Sequence, residues 1–321
     1  MPPTAPRSHA SPEYPAAQFT PPSPAHASPA RSSPAASSSP DSPARPSPAA
    51  RSSPARPARG SLAARARVFT DLIPQAVACR QTAAHLWGLT ALPWSAPEAA
   101  WPVELAVAQP MELVGCLTHV EAVPAREVTL RDGVRVTTQE RTALDCARWL
   151  PRPEAVAALD QFARRGIDLE ALARQAGGHW RQRDTLLMAD RGSASPRESW
   201  LRVVLVEAWL PPPATQIPVP LGDGRRAYLD LGWEEFKVAV EYDGHEHHSS
   251  ERDRDHDSQR RDRLRALGWR VFPVDRSVFP ARCGDVIEVV ANALFERGWH
   301  PGSARTARVL SRIRAHRRRR W

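Results

Sequence analysis

A mixed α/β protein is predicted, with a helix-strand-strand-strand-helix-strand core toward the C-terminus and a smaller α+β region before it. Three observations lead there. Residues 226–248, RAYLDLGWEEFKVAVEYDGHEHH, contain two runs of aromatic, β-branched and aliphatic residues, 227–233 and 238–242, split by Glu234, Glu235, Phe236 and Lys237, which is a hairpin signal. Ser195, Pro196 and Glu198 supply an N-cap serine, a proline at the first helical position and a glutamate at the third, so a helix starts there. About half of the 33 prolines lie before Arg59, among Ser-Pro, Ala-Pro and Arg-Pro repeats with almost no large apolar residue. Such a composition cannot bury enough surface to offset its ordering entropy. With 321 residues the chain has room for two cores. The predicted organisation is a disordered tail over 1–60, an α+β domain over 61–185, a second domain over 190–300 and a basic tail over 301–321.

In chain order, RQTAAHLWGL at 80–89 predicts a short helix with Ala83, Ala84, Leu86 and Trp87 inward. Residues 103–106 and 111–115 are brief apolar runs that suit strands, and Arg131-Asp132-Gly133 predicts a turn between two more. Thr138 caps a helix over 141–150 with Ala143, Leu144, Ala147 and Leu150 inward, and Pro151 stops it. Asp145 on that helix reads as a surface or capping acid. Further helices span 154–165, closed by Gly166, and 168–175. In the second domain Leu201, Val204, Leu205 and Ala208 form the stripe of the helix that Ser195 opens. A strand over 215–221, the hairpin, a charged helix over 252–267 anchored by Leu264 and Leu267, a buried strand over 269–274 and a helix over 285–297 follow. The inner stripe of that last helix is Val286, Val289, Val290, Ala293 and Leu294.

The hairpin carries the candidate chemistry. With 234–237 as its loop, Trp233 faces Val238, Gly232 faces Ala239, Leu231 faces Val240, and Asp230 faces Glu241. Opposed residues share a face with Cβ atoms about 4.5–5.5 Å apart, and Asp243 follows Glu241 on that face by the two-residue period. Like charges so placed repel, which points to a cation between them and to a divalent-metal site at Asp230, Glu241 and Asp243. The alternative is an ordinary solvated acidic face.

Two stretches resemble known families. The block QTAAHLWGL with TTQERTALDCARWL, within roughly 65–175, resembles the domain of AbiEi-type antitoxins of bacterial abortive-infection systems. That likeness implies a regulator with a cognate toxin-type partner. Members usually begin with a winged-helix DNA-binding module, and the Pro-rich segment stands in its place here. Over roughly 190–280, Glu198, LDLGW, VAVEYDGHEHH and LRALGWRV resemble the very-short-patch-repair-like endonucleases of the PD-(D/E)XK superfamily, with a restriction-endonuclease-like αβββαβ core. This second likeness implies Mg²⁺ (or Mn²⁺) held by Asp230 and Glu241, a catalytic His248, and a pattern of acid, arginine, leucine and glycine met by Asp257, Arg260, Leu264 and Gly268. Asp243 departs from it, standing where the superfamily signature has lysine. It is a third ligand or a partner for Arg260. Glu198 is a capping residue or a support to the metal site. Arg260 contacts phosphate, holds Asp243 or is a surface arginine. Lys237 is about 13 Å along the strand at roughly 3.3 Å per residue, too far to replace the lysine.

Net charge is +9, from 44 Lys and Arg against 35 acids, and Lys237 is the sole lysine. Arginine abundance therefore reflects coding bias, and its location carries more information. Arg312, Arg314, Arg317 and Arg318 lie in a C-terminal segment without acids, which is either a phosphate-seeking or a solubilising tail. Cys79, Cys116, Cys146 and Cys283 have neither CxxC spacing nor a close framework and read as reduced thiols. With no long apolar run and no signal-peptide core, a soluble cytoplasmic protein is expected. Two functions follow: a metal-dependent DNA endonuclease in repair or defence against foreign DNA, or a catalytically inactive DNA-binding or antitoxin-type regulator on a nuclease-like core.

Overall fold

The computed structural model describes residues 60–90, 97–222, 224–244 and 251–318, with the side chains of 251–256 excepted. The predicted N-terminal tail lies outside the described residues, as do His245, His247 and His248.

The first half holds α1 (Leu62–Leu72), β1 (Val77–Ala78), α2 (Arg80–Leu86), β2 (Val103–Val107), β3 (Cys116–Val120), β4 (Val128–Arg131), β5 (Val134–Thr137), α3 (Gln139–Trp149), α4 (Arg152–Arg164), α5 (Leu169–Gln175) and α6 (Trp180–Leu187). Its five strands run in the order β3-β2-β1-β5-β4, mixed in direction. One apolar cluster joins α1 to the sheet through Leu62, Ala66, Val103, Leu105, Val134 and Val136. A second is helical, with Ala143, Leu159, Phe162, Leu172 and Leu186. The predicted turn is present: Asp132 and Gly133 have φ of 50° and 82°, as a two-residue hairpin turn demands, and Arg131 pairs with Val134. Thr138 caps α3 as expected, its hydroxyl accepting from the Arg141 N–H.

Several expectations for this half fail. The strand expected over 111–115 is shifted to Cys116–Val120, because Val103 pairs with Cys116 and that register, not the apolar run, places the ladder. Helices α1 and α6 are additions to the expected elements; α6 has only Trp180, Leu186 and Leu187 as apolar residues, too few for a helical stripe. Asp145 is not on the surface but 5% exposed, since α3 turns it toward the sheet, where Arg141 can reach it.

The second half holds α7 (Pro196–Glu207), β6 (Ala214–Gly222), β7 (Arg225–Trp233), β8 (Val238–Asp243), α8 (Glu251–Ala266), β9 (Arg270–Asp275), α9 (Cys283–Glu296) and α10 (Ser303–Arg318). This is the predicted element order with one helix added. The sheet runs β6-β7-β8-β9, antiparallel up to β8 and parallel between β8 and β9. Residues of α7, α9 and α10 pack on Leu231, Trp233, Val238 and Val240. Leu264 and Trp269 pack with Ile217, Leu229 and Ala239 in a separate cluster.

The expected basic tail is instead helix α10, docked on α9. Val309 and Ile313, one turn apart, are buried, and Gly284 permits the approach: a Cβ there would meet the Arg317 side chain at 2.8 Å and the Ile313 carbonyl at 3.1 Å. Leu267 and Val289, expected inward, are 48% and 45% exposed, and β9 is a half-exposed edge strand. Local patterning could not say which helix faces lacked cover.

The halves are joined where α4 packs on α7. Arg202 Nη2 lies 2.7 Å from the fully buried Asp160 carboxylate, and Arg202 also donates to the Met188 carbonyl at 2.6 Å. Among the described residues no helix is long and apolar enough to cross a membrane.

Candidate functional site

The predicted register holds from Trp233↔Val238 to Leu231↔Val240 and stops there. The expected Asp230–Glu241 pair is absent from the ladder, because β7 and β8 part at this point. On the other side the β6–β7 ladder passes from Thr215↔Leu231 to Ile217↔Leu229, skipping Gln216, whose φ is 49°. The parted strands leave the Tyr242 N–H without its ladder partner. Asp230 supplies the substitute, its Oδ2 accepting that N–H at 2.8 Å.

A cleft of about 220 Å³ opens where the strands part, lined by Tyr228, Asp230, Glu241, Asp243, Asp257 and Arg260 among others. Asp230, Glu241 and Asp243 therefore share one space even though the first two are not ladder partners. Glu198 approaches Asp230 from α7. Its Oε2 accepts the Ala194 N–H at 2.8 Å, which holds the helix start, and the Gln216 amide at 3.1 Å. The same amide nitrogen lies 3.4 Å from Asp230 Oδ1. Glu198 thus fills the capping role, and through Gln216 it is also tied to Asp230.

Burial, then the nearby Glu198 and Glu241 charges, push the Asp230 carboxyl up to about 6. Glu241 is compensated: Arg260 grips both of its oxygens, Nη1 to Oε2 at 2.9 Å and Nη2 to Oε1, and donates to the Tyr228 carbonyl at 3.1 Å. The Arg260 partner is Glu241, which is none of the roles read for it from the sequence. Asp243 is exposed at the cleft mouth. Lys237 lies in the hairpin turn with its Nζ 4.8 Å from the Trp269 ring centroid, away from the acids.

Among the described residues no group of three or more His, Cys, Asp and Glu side chains is arranged to hold a metal ion. The donor chemistry of Asp230, with Glu198 and Glu241 beside it and burial raising its pKa, suits a hard cation. Such an ion would take Asp230 and Glu241 only after Arg260 released the latter.

Sequence reasoning missed Gln216 and Tyr228. Continuing the antiparallel register from Thr215↔Leu231 sets Gln216 opposite Asp230, so pairing β6 as well as β8 would have found the glutamine. Of the four predicted nucleic-acid contacts, Arg312, Arg314 and Arg318 are exposed on α10, whereas Arg317 is engaged by Asp285 and Glu288.

Residues 76–189 match the AbiEi antitoxin C-terminal domain, from the start of β1 to the linker before α7, with α1 outside the match. Over 211 residues the chain is 32% identical to Uncharacterized protein MT2308 of Mycobacterium tuberculosis (strain CDC 1551 / Oshkosh), spanning 62% of this chain and 74% of the relative. The figures are the same for Uncharacterized protein Rv2248 of Mycobacterium tuberculosis (strain ATCC 25618 / H37Rv). The chain belongs to the family of these mycobacterial proteins. No solved structure matches it.

Proposed function

We propose that this protein is an antitoxin-type DNA-binding regulator in which an AbiEi module is joined to a nuclease-like core that does not cleave. The AbiEi antitoxin C-terminal domain at 76–189 carries this reading. The geometry of the second half supports it. The guanidinium of Arg260 takes both oxygens of Glu241, supplying internally the positive charge that a metal would bring, and Asp243 takes the place of a lysine that would orient water. DNA is held by the exposed arginines of α10, and a cognate toxin-type protein is the second partner.

Fluorescence anisotropy with duplex DNA across a KCl series tests this. Binding is expected to weaken with salt at a log–log slope of about −0.9 per phosphate neutralised. Replacing Arg312, Arg314 and Arg318 by alanine is expected to flatten that slope, while Asp230→Asn with Glu241→Gln leaves it unchanged. Mg²⁺-dependent cutting of the DNA that Asp230→Ala abolishes would sink the inactive-core reading.

One observation favours a second reading, a metal-dependent endodeoxyribonuclease: the approach of Glu198, Asp230 and Glu241 at the point where β7 and β8 part. There Asp230 and Glu241 would hold Mg²⁺ or Mn²⁺, with Glu198 and Gln216 orienting Asp230. The ion's chemistry is to lower the pKa of water and offset charge on the phosphate. Asp230 is expected to be indispensable in that case, and Arg260→Ala to lower the Mn²⁺ concentration needed for cutting.

A further inference from the structure

The AbiEi-type half has a cleft of its own, of about 320 Å³, between α2, β2, β3 and the end of α3. The function proposed above makes no use of it. Asp145 lines it and is 5% exposed. One carboxylate oxygen, Oδ1, accepts from Arg141 Nε at 2.9 Å. The other, Oδ2, is buried and has no hydrogen-bond partner, a state that folds avoid unless something else supplies the donor.

Arg80 lines the same cleft with the opposite need. Its Nε is buried without a hydrogen-bond partner, and its guanidinium carbon is 4.3 Å from the Trp149 ring centroid. The backbone holds Arg80 at a φ of 50°, strain of the kind kept where a side chain must point in a set direction. Glu104 adds a second, largely buried carboxylate, 2.8 Å from His119 Nε2. Leu117 and Leu150 contribute apolar wall. Burial, opposed by Arg141, pushes the Asp145 carboxyl up to about 6, so it is ionised at neutral pH.

An acceptor atom and a donor atom, each on a charged side chain and each without a hydrogen-bond partner, therefore belong to residues that line one cleft with an apolar wall. An ammonium offers only donors and a carboxylate only acceptors, and charge-assisted bonds are roughly twice as strong as neutral ones. We infer that this cleft binds a small zwitterion, an apolar α-amino acid, with its ammonium on Asp145 Oδ2 and Glu104, its carboxylate on Arg80 and its side chain against Leu117 and Leu150. The site lies in the AbiEi-type half and is independent of whether the acids of the second half cleave DNA.

Isothermal titration of the full chain with L-leucine at neutral pH tests the assignment. N-acetyl-L-leucine lacks the ammonium and L-leucinamide lacks the carboxylate. L-leucine is expected to bind, and each blocked analogue to bind about 10-fold or more weakly, the consequence of losing one charge-assisted hydrogen bond. Asp145→Asn, checked for folding by circular dichroism and melting, is expected to lose L-leucine to the same degree. The two analogues need only the unaltered protein, so the outcome stands even if that variant is unstable. No binding of L-leucine at about 1 mM, or binding indifferent to both blocked ends, overturns the assignment. Full affinity in a folded Asp145→Asn protein does so as well.

Discussion

In the AbiEi-type half, Arg141 is surrounded by Glu121, Glu127 and Asp145, and Asp160 is closed off by Arg202. In the second half Arg260 serves Glu241, and Asp230 and Glu198 meet through the neutral amide of Gln216. Both halves take acids out of water, but they compensate them unequally. A buried acid with its own cation is a structural device whose loss is costly. A buried acid among other acids has its pKa raised, and such places are disproportionately where ligands bind. Asp145 combines the two conditions, paired through one oxygen and unanswered at the other.

The contrast can be broken or sharpened by removing one charge at a time. Arg202→Ala strands the fully buried Asp160 and is expected to lower stability by about 3–5 kcal/mol in urea denaturation; a loss near zero would mean the junction between halves does not depend on the pair. Arg141→Ala exposes three acids to one another and should cost about 2–3 kcal/mol by the same measurement. Asp230→Asn should act in the opposite direction in metal-free buffer. Its folded-state carboxyl titrates at about 6, above an unfolded value of about 3.9, so ionisation favours the unfolded chain and wild-type stability falls as pH rises between those values. The variant escapes that loss. Its Tm is expected to exceed wild type by ~2–4 °C at pH 8, with the gain gone below about pH 4, and an equal Tm at pH 8 would remove Asp230 from the uncompensated class. Arg317→Ala breaks exposed pairs to Asp285 and Glu288 and is expected to leave the melting curve where it was, as surface ion pairs contribute little.

How much of this was legible in the sequence depends on the range of the interaction. The Ser195 cap and the Glu198 N–H it receives are three residues apart, the Asp132-Gly133 turn is a dipeptide, and the hairpin register follows from four loop residues; all three were read correctly. Asp230 and Glu241 were placed near each other for the right reason, the reverse turn, but as ladder partners. The β7–β8 ladder ends at Leu231↔Val240, beside the point where Gln216 drops out of the β6–β7 ladder, and a hairpin considered without its neighbouring strand does not show this. Arg260 is 19 residues from Glu241, and the sequence pointed it at phosphate, Asp243 or solvent instead. The docking of α10 was invisible because its two buried residues, Val309 and Ile313, are outnumbered by arginines in their own segment.

By itself the sequence determined the caps at Thr138 and Ser195, the Asp132-Gly133 turn, which strands meet across short turns, and which acids lie near one another along the chain, because capping, turn geometry and two-residue alternation act over a few residues. Only the tertiary structure decided which of those acids are dry, which have a cation, and which helix covers which face. Desolvation and charge pairing are set by the groups packed around a side chain, most of them contributed by distant parts of the chain. That is why Asp145 passed for a surface residue in the sequence and lines a cleft in the fold.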